Sequence, residues 1–280
     1  MSAALARLLP ALAAACLAAT AALADDVDRV QPGDRFTGDV TYADLIRRIV
    51  PDFDAANGAK GQILDLRRLD SGDVEQASLA PFKLSSVPVV RFDDGGEPRA
   101  LVLLSLGMAV DSPEGLAIAA LFDGNAPYAL MDAANVALDR WTGFAEPGHL
   151  VSPTGQDVFV IYSEHFNSNQ TYGFHTLMTA DGGKLAAIDT VSTFDERLCA
   201  GETKQIARFA FGDGPAGAEP IRAAVEIESI PSGADCGGEP ALEAVKRTVS
   251  VTYRLDEGTG AYVADSDAFE RLGEENEQRY

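Results

Sequence analysis

The sequence predicts a mainly β fold, made of antiparallel meanders in a sandwich- or propeller-like arrangement, with a short N-terminal helix and a C-terminal helix. From residue 87 onward, short apolar runs alternate with segments rich in Gly, Asp and Pro, such as DDGGEP, ADGG and DEGTG. Short strands separated by turn residues at this spacing are typical of antiparallel sheets. Apolar and polar side chains also alternate within several runs, which indicates strands with one buried face.

The alternation is clear near the end of the chain, where polar residues separate Val249, Val251 and Tyr253. Residues 115–122 (GLAIAALF) are continuously apolar instead. That pattern fits either a buried strand or a buried helix. Of the two, we predict a strand.

The N-terminal helix is predicted by its two ends. Thr41 and Asp44 have the spacing of a capping box, in which each residue bonds the backbone of the other. An apolar stripe follows over residues 45–50, and Pro51 marks the end.

Two further segments have helical features. At the end of the chain, residues 266–278 predict a helix in which Asp267 and Glu270 provide a capping pattern. Residues 129–141 fit a helix by composition, but this segment is ambiguous.

Residues 145–156 (AEPGHLVSPTGQ) are rich in Pro and Gly and predict a loop near the middle of the chain. This loop is the expected boundary between two regions. Residues 25–145 would hold the N-terminal helix and β strands, and residues 146–280 would hold β strands and the C-terminal helix. One continuous domain over residues 25–280 is the alternative.

Residues 1–24 have the order of a secretory signal peptide. One positive charge, Arg7, precedes an apolar stretch, and the small residues Ala-Leu-Ala end at Ala24. We predict cleavage after Ala24, a periplasmic or secreted location, and no membrane span after cleavage. A membrane anchor and a lipoprotein acylated at Cys16 are the alternatives.

The chain is strongly acidic, with 22 basic and 43 acidic residues and a net charge of −21. Cleavage would take away one arginine and no acid, which leaves 21 basic residues, 43 acidic residues and a net charge of −22. A negative field repels nucleic-acid phosphates and anionic headgroups, so we expect neither as a partner. The charge suits cations or basic partners, and it also serves simple solubility.

Cys16 would leave with the signal peptide, so Cys199 and Cys236 remain. Two cysteines in an oxidising compartment most simply form a disulfide. A disulfide that closes a loop of about 37 residues contributes about 4 kcal/mol in the chain-entropy view. A pair of metal ligands is the rival interpretation, but no third ligand stands beside either cysteine at a CxxC-like spacing.

The sequence lacks the catalytic motifs GxSxG, HExxH, GxxxxGK[ST] and CxxC. The richest polar stretch, residues 163–175, contains His165 and His175. If its flanking strands form a hairpin centred on Gln170, the two histidines lie opposite each other with Cβ atoms about 5 Å apart. They could then share a divalent metal, or one could act as an acid or base. A zinc site would need further ligands, which the sequence does not designate.

The same stretch is the candidate ligand-binding loop. Its candidate residues are Glu164, His165, Asn167, Asn169, Gln170, Tyr172 and His175. The alternative is a purely structural hairpin, whose tip is rich in Asn, Ser and Gly because these residues form turns. Asp195 and Glu196 are interpreted as solvated loop charges, and Trp141 as a core residue.

These observations favour an exported, non-catalytic binding or accessory protein that acts on an unidentified protein or small molecule without a cofactor. One alternative is a metal-dependent hydrolase that uses His165 and His175. The other is an acidic cation-binding protein. The sequence leaves open whether the protein is an enzyme, although the missing motifs favour a non-enzyme.

Overall fold

The structure is a computed structural model that describes residues 27–108, 115–237, 242–256 and 258–279. The predicted signal peptide and its cleavage site lie outside these residues. Most of the described chain forms β strands in antiparallel sheets, which confirms the mainly β prediction. None of the helices in the described ranges is long and apolar enough to cross a membrane.

In chain order the strands are β1 Val27–Val30, β2 Arg35–Thr37, β3 Val40–Thr41, β4 Gln62–Arg68, β5 Val74–Leu79, β6 Val87–Asp94, β7 Glu97–Met108, β8 Gly115–Asp123, β9 Leu130–Asn135, β10 Trp141–Val151, β11 Asp157–Asn167, β12 Gln170–Asp181, β13 Lys184–Leu198, β14 Gly201–Phe211, β15 Ile221–Pro231, β16 Val245–Leu255 and β17 Tyr262–Ala264. The helices are α1 Tyr42–Ile46 and α2 Ala268–Glu277. β8 is buried along almost its whole length, as expected for the apolar run at 115–122.

The strands form two large sheets and one small one. The first sheet has the order β1-β6-β7-β8-β9-β4-β5, and all its neighbours are antiparallel except β4 and β9. The second sheet is a continuous meander from β10 to β17. β2 and β3 pair with each other beside α1. The chain therefore passes from the first sheet to the second at residues 136–140.

The two large sheets share a hydrophobic core. Leu101 and Leu121 of the first sheet pack in one cluster with Phe159, Ile161 and Met178 of the second sheet. The other face of the first sheet is covered by the N-terminal segment and α1, which bury a second cluster. Burial on both faces explains why the strands β7 and β8 are so apolar.

The second sheet folds over itself after β13. β13 pairs with β14 only over Glu196–Leu198, and the two strands then separate. A third core lies between the halves, where Val160 and Leu177 meet Phe209 and Val251. α2 completes this core with apolar side chains on one face.

Cys199 and Cys236 form the expected disulfide, with 5.8 Å between their Cα atoms. That separation lies within the usual range for an unstrained bridge. The disulfide joins the turn after β13 to the segment that follows β15. It therefore encloses both strands of the β14–β15 hairpin in one covalent loop.

The helix predictions are confirmed only in part. The capping box forms, because the Asp44 backbone N–H donates to the Thr41 hydroxyl and the Thr41 N–H donates to the Asp44 carboxylate. α1 is nevertheless only five residues long, and the chain continues in turns to residue 49. α2 is present, but the Asp267 carboxylate accepts a hydrogen bond from Arg271 rather than capping the backbone.

Two segments differ from what their composition suggested. The ambiguous segment at 129–141 is not a helix, because Leu130–Asn135 forms β9 and pairs with β8, so tertiary pairing overrides the Ala-rich composition. The expected loop at 145–156 is wrong over its first half, which belongs to β10. Pro147 is accommodated there because β10 is an edge strand with an irregular register between Phe144 and His149. The division into two domains stays a prediction.

Candidate functional site

The β11–β12 hairpin has a different register from the one expected. Asn167 pairs with Gln170, so the turn consists of two residues and is not centred on Gln170. His165 consequently pairs with Tyr172, and His175 pairs with Tyr162. Tyr172 and His175 are three positions apart on one strand, so their side chains lie on opposite faces of the sheet. The expectation that the two histidines face each other is wrong.

His165 lies on the face that packs toward the first sheet. Its Nδ1 forms a hydrogen bond with the carboxylate of Asp139, which belongs to the segment between β9 and β10. Its ring stacks on Tyr172 with 4.6 Å between the ring centroids. The Tyr172 hydroxyl donates to Oε1 of Gln170 at 2.8 Å. These contacts give His165 and Tyr172 a structural role in holding the hairpin against its neighbours.

His175 lies on the other face, in a cavity of about 210 Å³ between the two halves of the second sheet. This inner cavity is lined from five strands, β10 to β14. Its polar lining residues are Glu146, Tyr162, Thr171, His175, Thr193, Asp195, Gln205 and Arg208. Gly173 allows the side chains of Tyr162 and Thr193 to approach the strand closely, because a Cβ at that position would come within 2.8 Å of both.

The imidazole of His175 is neutral near pH 7, because burial lowers its pKa to about 4. Its ring packs against Tyr162 at 4.6 Å and Phe209 at 5.6 Å between centroids. Nδ1 is buried and has no hydrogen-bond partner within the described residues. A neutral imidazole nitrogen is a donor or an acceptor according to its tautomer, so this atom can bind either kind of group.

Tyr162 stands beside His175 as a protonated phenol. Its hydroxyl donates to Oε2 of Glu164 at 2.9 Å. Burial raises the pKa of Tyr162, and the hydrogen bond and negative charge of Glu164, together with the charge of Asp195, raise it further. Glu164 therefore holds the phenol of Tyr162, a residue of the cavity wall, through this hydrogen bond.

The interpretation of Asp195 as a solvated loop charge is wrong. It lies in β13, where burial raises its pKa, and its Oδ1 accepts the backbone N–H of Gln205 at 2.7 Å. Within the described parts of the chain it makes no ion pair. β14 folds back over this residue and removes part of its solvent, which the polar local sequence does not reveal.

Gln205 connects this wall of the cavity to α2. The buried side chains of Gln205 and Asn276 form a reciprocal amide pair, with N–O distances of 2.6 and 3.0 Å. Oε1 of Gln205 also accepts the backbone N–H of Phe194 at 3.1 Å. The C-terminal helix is thus hydrogen-bonded to a residue that lines the inner cavity.

A second cavity, of about 340 Å³, lies at the tip of the hairpin. Asn167, Asn169 and Gln170 line it, and Thr171 and Asp195 belong to the walls of both cavities. We call the two adjoining cavities the hairpin cleft. The sequence therefore identified several of its residues, although it did not show that they border a cavity.

Exposed aromatic rings stand at the rim of the hairpin cleft. Phe166 lines the outer cavity, and Trp141 stacks on it with 5.1 Å between centroids. Trp141 is 46% exposed and Phe166 is 62% exposed. The expectation of a core tryptophan is therefore wrong, because Trp141 begins an edge strand and stacks there on the exposed ring of Phe166.

The sequence did not indicate Tyr162, Thr193 or Gln205 as site residues, and Asp195 was interpreted as a solvated loop charge. A signal for the first of these exists in the alternation of β11, since Tyr162 has the same parity as the buried residues Val158 and Val160. Polar residues that continue an inward-facing apolar series indicate the polar end of a core. Asp195 and Gln205 could not be found in this way, because they meet only after β14 folds back.

A shared metal would require His165 and His175 to lie on one face of the sheet, and they occupy opposite faces. Among the described residues, no group of three or more His, Cys, Asp or Glu side chains is placed to hold a metal ion. Ser163, the hydroxyl nearest in sequence to His165, hydrogen-bonds Thr142 at 2.9 Å and accepts the Leu138 N–H. The cation-binding alternative, which rests on net charge, stays a prediction.

No family model, curated protein or solved structure matches this chain.

Proposed function

We propose that this protein is an exported, non-catalytic binding protein whose ligand or partner segment enters the hairpin cleft. The observation that carries the proposal is the shared wall of Thr171 and Asp195, which joins a polar hairpin tip to the inner cavity around His175. A cavity with a few convergent polar groups is the usual form of a ligand site.

The open hydrogen-bonding capacity of the inner cavity supports binding. Nearly all buried polar groups in proteins have a hydrogen-bond partner. A buried nitrogen without one costs about 1–3 kcal/mol. A ligand group that bonds Nδ1 of His175 would remove this cost, so the cavity favours an occupant with a polar end.

The hairpin tip supports the same proposal. Amide side chains such as those of Asn167 and Asn169 offer both donors and acceptors, so they suit a polar ligand or a peptide backbone. Trp141 and Phe166 add an exposed apolar surface at the rim. Export rests on the predicted signal peptide, and the disulfide is compatible with an oxidising compartment.

Nuclear magnetic resonance of the purified, isotope-labelled protein tests this function. A panel of amino-acid amides, short peptides and monosaccharides is added, and we expect at least one compound to shift the signals of Asn169, Thr171 and His175 together. Asn169→Ala and Gln170→Ala should weaken that binding several-fold. Asn125→Ala, an exposed amide in the first-sheet region, is the matched control and should have no effect.

The proposal would be overturned if no compound shifted these signals. It would also be overturned if the binding compounds shifted scattered surface signals and the two hairpin variants bound them as well as the wild type. Turnover of a panel compound that is abolished by one cleft substitution would contradict the non-catalytic part.

A further inference from the structure

We infer that the hairpin cleft recognises a cationic group, an ammonium or guanidinium carried by a small amine or by a basic peptide segment. This inference rests on the proposed binding function and specifies the chemistry of its ligand. It follows from the carboxylates around the cleft, the placement of the neighbouring cations and the neutral groups at the inner end.

The carboxylate of Asp195 stands in the wall shared by both cavities and is half-buried. Within the described residues, its Oδ1 accepts the backbone N–H of Gln205, and its Oδ2 has no hydrogen bond. Glu146 of β10 lines the same inner cavity, and Glu164 accepts the hydrogen bond of the Tyr162 hydroxyl. Two strands, β10 and β13, therefore place a carboxylate in the lining of the inner cavity, to which β14 adds Arg208.

Among the described residues, three cations line the cleft, and each forms its ion pair with a carboxylate other than Asp195. Arg197 and Lys204 both bind the carboxylate of Glu202, at 3.0 and 3.1 Å. Lys204 lowers the pKa of Asp195 only in part, since burial is the larger influence and raises it. Arg208 is largely exposed and lies 3.9 Å from Glu226. A cationic ligand stabilises a half-buried carboxylate that has no ion pair more than it stabilises a solvated carboxylate.

The inner end of the cleft is suited to a cation by its neutral groups. The ring of Tyr162 presents an aromatic surface, and a cation near an aromatic face is attracted by its quadrupole. His175 is neutral near pH 7, so it does not repel a positive ligand and can accept a hydrogen bond through an unprotonated nitrogen. The net charge of −21 would also draw cationic ligands toward the protein.

The fluorescence of Trp141 provides the test, because this is the only tryptophan in the chain and it stacks on a residue of the cleft. The probes are the peptide acetyl-Gly-Lys-Gly-amide, the amine n-butylammonium, and the uncharged peptide acetyl-Gly-norleucine-Gly-amide. We expect the two cationic probes to bind at least about ten-fold more tightly than the uncharged peptide. Tighter binding of the lysine peptide than of the amine would identify a basic peptide segment as the source, and the reverse would identify a small amine.

Asp195→Asn should weaken binding of the cationic probes about ten-fold or more, because it removes the charge and keeps the Oδ1 acceptor for Gln205. Asp28→Asn changes the net charge equally in the first sheet and should leave binding unchanged. An unfolding curve for each variant separates lost binding from lost folding. Unchanged binding in a folded Asp195→Asn variant would overturn the inference.

Equal binding of the uncharged and lysine peptides, with sensitivity to Gln170→Ala, would overturn the charge inference and leave the binding function standing. Absence of binding by these probes and by every member of the nuclear magnetic resonance panel would overturn both.

Discussion

The two faces of the β11–β12 hairpin carry similar polar residues, but they differ in how far these residues are hydrogen-bonded within the protein. On the face toward the first sheet, His165 is hydrogen-bonded to Asp139 and the Ser163 hydroxyl is bonded to Thr142. On the face toward the cleft, Nδ1 of His175 has no hydrogen-bond partner within the described residues, and Asp195 of the neighbouring strand β13 has no ion pair there. The same pair of strands thus holds a structural face and an open face.

The difference shows how one hairpin separates stability from recognition. Internal hydrogen bonds on the first face are formed in the free protein and stabilise it. The unfilled positions on the second face contribute little to the free protein and remain available to a ligand. Because side chains alternate along a strand, the two roles can be changed independently by substitutions at neighbouring positions.

The largest expected effect is a loss of stability at acid pH that depends on His175. Its folded-state pKa is lowered from 6.5 to about 4, so the unfolded chain binds the proton more tightly. The contribution of the neutral imidazole is therefore present above pH 6.5 and is lost as the pH falls toward 4. The expected loss is about 3 kcal/mol.

Urea unfolding of wild type and of His175→Phe at pH 7, 5.5 and 4 measures this effect. The carboxylates titrate in both proteins. The difference between their free energies of unfolding at each pH therefore isolates the contribution of His175. If the free energies of unfolding of the two proteins changed equally with pH, His175 would make no contribution of its own. The cleft face would then be as well solvated as the protein surface.

On the opposite face, Asp139→Ala should lower the free energy of unfolding by about 2 kcal/mol at pH 7. The Asp139 side chain is almost fully buried, and its carboxylate accepts the Arg140 N–H at 2.7 Å in addition to its bond with His165. Asp139→Asn keeps one acceptor oxygen and should cost less. A loss within about 0.5 kcal/mol for the alanine variant, measured by urea unfolding, would remove the contrast between the faces.

The smallest expected effect is that of Tyr162→Phe, which removes one hydrogen bond on the cleft face. The bond joins the phenol to Glu164, and both side chains are partly exposed. We expect a loss of about 1 kcal/mol or less at pH 7, from the same unfolding measurement. A loss greater than that of Asp139→Ala would mean that the cleft face is the more important one for stability.

The strands and the disulfide could be predicted from the sequence because their signals are local or few. Alternation such as that at Val249, Val251 and Tyr253 follows directly from the two-residue repeat of a strand. Only two cysteines remained to pair, so no choice of connectivity arose. Residues 129–141 stayed ambiguous because composition alone does not include the pairing with β8.

The candidate site could be predicted only as a stretch of chain. Residues 167–171 contain several turn-forming types, and the sequence does not choose between a two-residue turn and a longer one. That choice decides the face of every side chain beyond it, so His165 and His175 were assigned to one face when they occupy two. Asp195 meets Gln205 only through the folding of the sheet over itself, for which no local pattern exists.

The amide pair between Gln205 and Asn276 has a practical consequence for handling this protein. Truncation before residue 276, or a fusion that unwinds the last turn of α2, would leave the buried Gln205 amide without its partner. Gln205 also bonds Asp195 through its backbone, so a change at the end of the chain would reach the wall of the cleft. Affinity tags for binding assays are therefore better placed ahead of β1 than after α2.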